Sequence, residues 1–196
     1  AVRDYLSNDY LVFLLFITVV GVIYSILDFP FDFYGGYVVE HRFSLSNQSV
    51  PAWLFEKIKG AAVGVVVGVP VAMVFYLFLK MTDWLWWLWF SIFMFFISVF
   101  LARIAPVVIF PLFYRFRELE SEEIRGRIRG LLEGQGISIR GIYSFNLSKD
   151  TKKANAGFTG IGRSKRIILS DTLIERFSPD EIAVIFAHEM DRKSVV

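Results

Sequence analysis

The sequence predicts a mainly α protein: multi-span transmembrane helices followed by a small α+β water-facing domain with a β-hairpin. Three observations point there. Three long windows carry no charged residue, most of the charge lies in residues 118–196, and short strand-like runs flank Gly160-Ile161-Gly162. The chain is 55% hydrophobic, above the usual share for a soluble domain, and the excess sits in the first 114 residues. These boundaries give a membrane domain over 1–114 and a water-facing domain over 115–196.

The charge-free windows are Tyr10–Leu27, Gly60–Leu79 and Trp84–Ala102. A bilayer core needs about 20 apolar residues in a helix, and all three are close to that length. The first has no basic leader and no small-x-small exit before Asp28, so it reads as a span and not as a cleaved signal. Gly64 and Gly68 in the second form a G-x-x-x-G, read as helix packing. Trp84, Trp86, Trp87 and Trp89 open the third and mark a headgroup-level end. Ile104–Tyr114, broken by Pro106 and Pro111, reads as the tail of that helix leaving the bilayer.

Lys and Arg in short loops set orientation. The loop 28–59 holds Arg42, Lys57 and Lys59, and the third span is followed by Arg103, Arg115 and Arg117. The opposite side has Arg3 and Lys80. Three spans therefore place loop 28–59 and the C-terminal domain together on the cytoplasmic side. A net charge of +2, without aromatic-basic stripes outside the spans, argues against a nucleic-acid partner. With no cysteine, a metal must be held by His, Asp or Glu.

In the water-facing domain, Ser121 with Glu122 and Glu123 starts a helix on which Ile124, Ile128, Leu131 and Leu132 repeat. Gly134 and Gly136 end it, and its Arg125, Arg127 and Arg129 read as a solvated face. Gly141–Phe145, Ala154–Thr159 and Arg166–Ser170 read as strands, the last two as a hairpin turning at Gly160-Ile161-Gly162. Asp171–Phe177 reads as a short helix. Ser178-Pro179-Asp180-Glu181 is a capping box with proline at the first helical position, opening an apolar helix that ends in His188-Glu189-Met190.

His-Glu on a helix is the first half of H-E-x-x-H, the start of a zincin active-site helix. In the full motif two histidines four residues apart share one face and one zinc, and the glutamate takes a proton from zinc-bound water. The fourth position after His188 is Arg192, a cation that cannot ligate zinc, and the other histidine, His41, is far away in sequence.

A wider pattern surrounds this pair. Asn155-Ala156-Gly157-Phe158-Thr159-Gly160 is followed by Lys165-Arg166, Ser170-Asp171-Thr172-Leu173, Glu181-Ile182 and Ala187-His188-Glu189-Met190. Upstream stand Phe31-Asp32-Phe33-Tyr34, Glu40-His41-Arg42-Phe43, Asn47 and Pro111-Leu112-Phe113. In this order they resemble the type I CAAX prenyl endopeptidases, integral-membrane zinc metallopeptidases, over most of the chain. The resemblance implies His188 as the first zinc ligand and Glu189 as the catalytic base. It implies Asn155 and Ala156 as edge-strand residues whose backbone holds a substrate peptide by strand addition. Gly157 stands where the family often has an aromatic residue.

The family's second histidine would fall at 192, and its third ligand, a glutamate, would lie after residue 196. Met190-Asp191-Arg192-Lys193 replaces Met-Gly-His-Arg-Lys, as if a small deletion or frame error had put Asp191 in place of Gly-His. Recovery of the source gene tests that idea, and an intact frame carrying Asp191 would sink it. The resemblance implies the N-terminal part of a membrane zinc metalloendopeptidase acting on peptides, prenylated ones included, with the chain as written inactive for want of ligands. Two alternatives stand beside it. One is a heat-shock-type membrane quality-control metallopeptidase, which the long loop 28–59 argues against. The other is a pseudoprotease that binds peptides without cleaving them, which Arg192 favours.

Overall fold

The computed structural model describes residues 8–133, 139–159 and 165–194, with side chains on the last helix up to Asp191. The chain divides into two compact units, Ala1–Phe43 with Ser49–Val99, and Ser44–Gln48 with Phe100–Val196.

The first unit is built from helices. α1 runs Asp9–Arg42, α2 Val50–Met81 and α3 starts at Asp83, continuing into the second unit as far as Phe113. Each contains one of the charge-free windows but is longer than it, because a charged residue does not stop a helix that gives it a partner. Asp32, beyond the first window, accepts from Lys57 at 2.6 Å, and Lys80 reaches Asp9 at 2.8 Å. The stretch read as loop 28–59 is thus helical apart from 43–49, where Ser49 accepts from the Ala52 N–H and caps α2. Twenty-three residues separate the two acids (32 minus 9) and the two lysines (80 minus 57), about 35 Å along either helix. The two ion pairs therefore pin both ends of an antiparallel pair.

Phe13 stacks on Tyr76 at 4.5 Å near one end. Trp53, buried, sits between Phe29, Phe33 and Tyr37 near the other. Between these ends α1 and α2 part, leaving a cleft of about 790 Å³ lined by Gly21, Ser25, Ala61, Gly64 and Gly68. A Cβ added at Gly64 or Gly68 would meet nothing within 4 Å, so the G-x-x-x-G read as packing joins no described helix. The most apolar windows of α1 and α2 are 0% buried in the protein and that of α3 only 6%, so their side chains are exposed to the surrounding medium. Such surfaces are stable only in lipid, and the chain is an integral membrane protein.

In the second unit α3 continues through a widened π turn, Ala105–Ile109, at Pro106. Proline lacks the N–H of the regular ladder, and the extra residue per turn accommodates it. After Phe113 come β1 (Phe116–Glu118), α4 (Glu122–Glu133), β2 (Ile142–Phe145), β3 (Ala156–Thr159), β4 (Arg166–Ser170), α5 (Asp171–Arg176) and α6 (Pro179–Ser194). The sheet order is β1-β2-β4-β3, with β2 and β4 parallel and the other pairs antiparallel. The expected hairpin is β3–β4, and its turn residues Gly160-Ile161-Gly162, like Gly134 and Gly136, lie outside the described residues. β1 was not expected, since its Phe116-Arg117-Glu118 gives too short a run to show alternation.

α4 and α6 pack on the sheet. Ile124, Ile128 and Leu132 of α4 meet Ile182, Phe186 and Met190 of α6 above Ile142, Ile167 and Leu169. Both helices start as the sequence predicts, with Ser121 Oγ accepting from the Ile124 N–H and the Ser178–Glu181 box closed in both directions. The short segment Ser44–Gln48 joins this unit as a strap. Leu45 C=O accepts from the Lys152 N–H and the Thr151 hydroxyl, and Asn47 N–H donates to Asp150 C=O. Gln48 Nε2 donates to the Asp150 carboxylate at 2.7 Å.

Candidate active site

α6 carries the two residues singled out for chemistry. Its buried stripe is Ile182, Phe186 and Met190, four residues apart and therefore on one face. His188 is two residues past Phe186, which turns it about 200° away from that face, and it is exposed together with Val184 one turn earlier. Glu189 is half-buried and Asp191 exposed. The helix does not end at Met190 but continues to Ser194, so residue 192 has helical backbone one turn after His188. At its start, Glu181 Oε2 accepts from the Ser178 N–H at 2.8 Å and from its hydroxyl at 2.9 Å. These bonds hold the Glu181 carboxyl below its ordinary range, the backbone bond more than the side-chain one.

β3 is an edge strand, paired only with β4 among the described residues. It packs on α6 through Phe158 and Phe186, whose ring centroids are 5.0 Å apart. Asn155 bonds Ser170 with both backbone groups: its N–H donates to Ser170 Oγ at 2.9 Å and its C=O accepts from the Ser170 N–H at 2.8 Å. The Asn155 backbone groups thus face Ser170, and its side chain is exposed. Antiparallel pairing alternates inward and outward backbone groups, so with Asn155 turned in, those of Ala156 and Phe158 point away from β4. The side chains of Ala156 and Phe158 meanwhile pack against the core.

Zinc does not fit the described residues as a complete site. Among them no three His, Asp or Glu side chains cluster closely enough to hold a metal ion. Residue 192, one turn after His188, is Arg, which has no lone pair to give. His41 bonds its own helix, Nδ1 donating to Tyr37 C=O at 2.8 Å while its ring packs on Tyr37.

Ser170 and Thr172 stand within the wider sequence pattern but are given no role there. Both are buried polar residues, at 0% and 3% exposure, immediately behind the edge strand. Asp171 between them accepts from the Ser148 N–H and hydroxyl at 2.9 and 2.6 Å. In sequence Ser170 reads as the end of a strand and Asp171-Thr172 as the start of a helix, which does not show that the two hydroxyls turn inward.

A family model described as CAAX prenyl protease N-terminal, five membrane helices, matches residues 2–115. The chain belongs to that family. A second model, peptidase family M48, matches residues 118–191. M48 metalloproteases are zinc-dependent in general. Within the stretch matched by the CAAX protease model, the described residues form three helices long and apolar enough to span, fewer than the five the family description counts. CAAX prenyl protease 1 of Saccharomyces cerevisiae is 33% identical over 183 residues, 90% of this chain and 39% of that protein. The metalloprotease YhfN of Bacillus subtilis is 31% identical over 89% of this chain and 41% of its own length. The crystal structure of S. mikatae Ste24p superposes with a TM-score of 0.83 at 30% identity, covering 89% of this chain and 42% of that one. The chain spans about two fifths of the length of these relatives.

Proposed function

We propose that this chain is the N-terminal part of a membrane zinc metalloendopeptidase for CAAX-type peptides, prenylated ones included. It supplies the edge that holds the peptide, and His188 and Glu189 are the first metal ligand and the general base. The observation that carries the reading is the packing of β3 on α6. It puts an open strand edge and the His-Glu helix side by side in one unit, the arrangement strand addition beside a catalytic helix requires. An extended peptide pairing with the outward backbone groups of Ala156 would run along α6. The membrane spans bring a lipid-anchored peptide to the same bilayer.

The strap Ser44–Gln48 supports a common side for the first inter-helix connection and the domain, and the lysines and arginines of both favour the cytoplasmic side. Because Arg192 replaces a ligand, the chain as written has no peptidase activity, and no hydrolytic step is assigned to it. A second reading has a specific observation in its favour. With Arg192 in the helix and a peptide edge still open, the chain can bind peptides without cutting them.

Zinc stoichiometry separates the two. The detergent-solubilised chain is compared by elemental analysis with a version in which Asp191 is replaced by Gly-His and with Glu189→Ala. The chain as written is expected to hold no zinc, and the repaired version, with two histidines of the three-ligand set, to gain weak zinc binding. Tight zinc on the unaltered chain would overturn the role given to Arg192, and no gain on repair would favour the peptide-binding reading.

A further inference from the structure

We propose that the buried hydroxyl pair Ser170 and Thr172 fixes the register of the peptide-binding edge, which makes both positioning residues for substrate. The inference rests on the reading of β3 as the substrate edge.

Three backbone groups of the segment leading into β3 end on this pair. Thr172 Oγ1 donates to Lys153 C=O at 2.8 Å, Ser170 Oγ accepts from the Asn155 N–H, and the Ser170 N–H donates to Asn155 C=O. The two hydroxyl oxygens lie 2.9 Å apart. Thr172 has one proton, and the Lys153 carbonyl takes it, so Ser170 supplies the proton between them. Ser170 Oγ also accepts from the Leu173 N–H at 3.2 Å and caps α5. Each hydroxyl is fully used in a site sealed from water, where an unmatched group would be costly.

The arrangement departs from an ordinary ladder in an informative way. Residues of an antiparallel hydrogen-bonded pair exchange two backbone bonds. At Asn155 and Ser170 one of the two goes to a side-chain oxygen, at the point where β4 turns into α5. The hydroxyl extends the ladder past the end of the strand. A slip of β3 by one residue would exchange the outward pair Ala156 and Phe158 for Gly157 and Thr159 and turn every side chain to the wrong face. It would also break the two bonds to the hydroxyls and the backbone bond between Ser170 and Asn155. The strap holds the preceding residues from the other side, through Thr151 and Lys152 to Leu45 C=O.

The test uses the full chain in detergent and a fluorescein-labelled, S-prenylated peptide ending in a CAAX sequence. Binding is followed by anisotropy, and amide exchange at Ala156 by mass spectrometry. The wild-type chain should bind the peptide and gain protection at that amide. Thr172→Val keeps the shape and removes the hydroxyl; it should weaken binding about tenfold and abolish the added protection. Thr172→Ser should restore both, which a loss of packing alone would not allow. If Thr172→Val fails to fold, Ser170→Ala takes its place with the same expected result. A folded variant without its hydroxyl that binds and protects like the wild type overturns the positioning role and leaves the strand-addition reading standing. A wild-type chain that ignores the peptide, or binds it without protecting Ala156, overturns the reading and this inference together.

Discussion

The two units bury their apolar residues in opposite ways. In the helical unit, Trp53 is the one buried residue of α1 and α2 among those described, while Phe16, Ile23, Ile26, Val65 and Val66 stand exposed along them. In the α+β unit, Ile128, Ile167, Leu169, Ile182 and Phe186 are all but inaccessible. The first unit leaves its solvation to lipid and is held by end pairs, Asp9–Lys80 and Asp32–Lys57, and by aromatic stacking. The second expels water from its own interior. A core residue in the second should therefore matter far more than an equally apolar residue in the first.

The sharpest way to break that comparison is Phe186→Ala set against Val20→Ala. Phe186 is fully buried between β3 and α4, and its removal leaves a cavity expected to cost about 3–5 kcal/mol. Val20 is 48% exposed on α1 and should cost well under about 1 kcal/mol. Chemical denaturation in detergent, with tryptophan fluorescence reporting the helical unit that holds all five tryptophans and amide exchange reporting the α+β unit, measures both. Equal losses would mean that the helical unit hides a core of its own.

The same contrast explains how much was legible in the sequence. The spans announced themselves by composition, because lipid asks only for apolar length. Their ends did not, since Asp32 and Asp9 are stable in helices only through lysines 25 and 71 residues away. The domain helices were legible from local rules, the Ser178–Glu181 box and the four-residue spacing of Ile182, Phe186 and Met190. The His188–Glu189 pair was legible as a motif. Which backbone groups of the edge point outward was not, because that depends on a pairing between Asn155 and Ser170 that no local pattern encodes. The strap was invisible for the same reason: Ser44–Gln48 is polar and short, and its partners lie about a hundred residues on.

The strap supplies the next prediction, of intermediate size. Gln48→Ala removes a part-buried hydrogen bond to Asp150 at 2.7 Å. It should destabilise the α+β unit by about 1 kcal/mol. Proteolysis between α1 and α2 should speed up in step, whereas Gln48→Glu should do more harm by facing the Asp150 carboxylate with a like charge. An unchanged cleavage rate in Gln48→Ala would show that the bonds of Leu45, Ser46 and Asn47 hold the strap without Gln48.

The smallest effect is a pH dependence at the start of α6. The bonds from Ser178 hold the Glu181 carboxyl below its ordinary value of 4.5, so folding favours the charged form. A carboxyl lowered in the folded state adds stability at pH values above the unfolded value, and that contribution fades as pH falls through the folded one. The wild-type α+β unit should therefore lose stability on acidification from above about pH 4.5, by an amount that Glu181→Gln does not lose. Glutamine keeps an oxygen to accept from Ser178 and so preserves the cap while removing the charge. The difference between the two melting curves isolates Glu181 from the other carboxylates that titrate in the same range. Parallel curves would place the stabilisation in the geometry of the box alone, with nothing owed to the charge at the helix N-terminus.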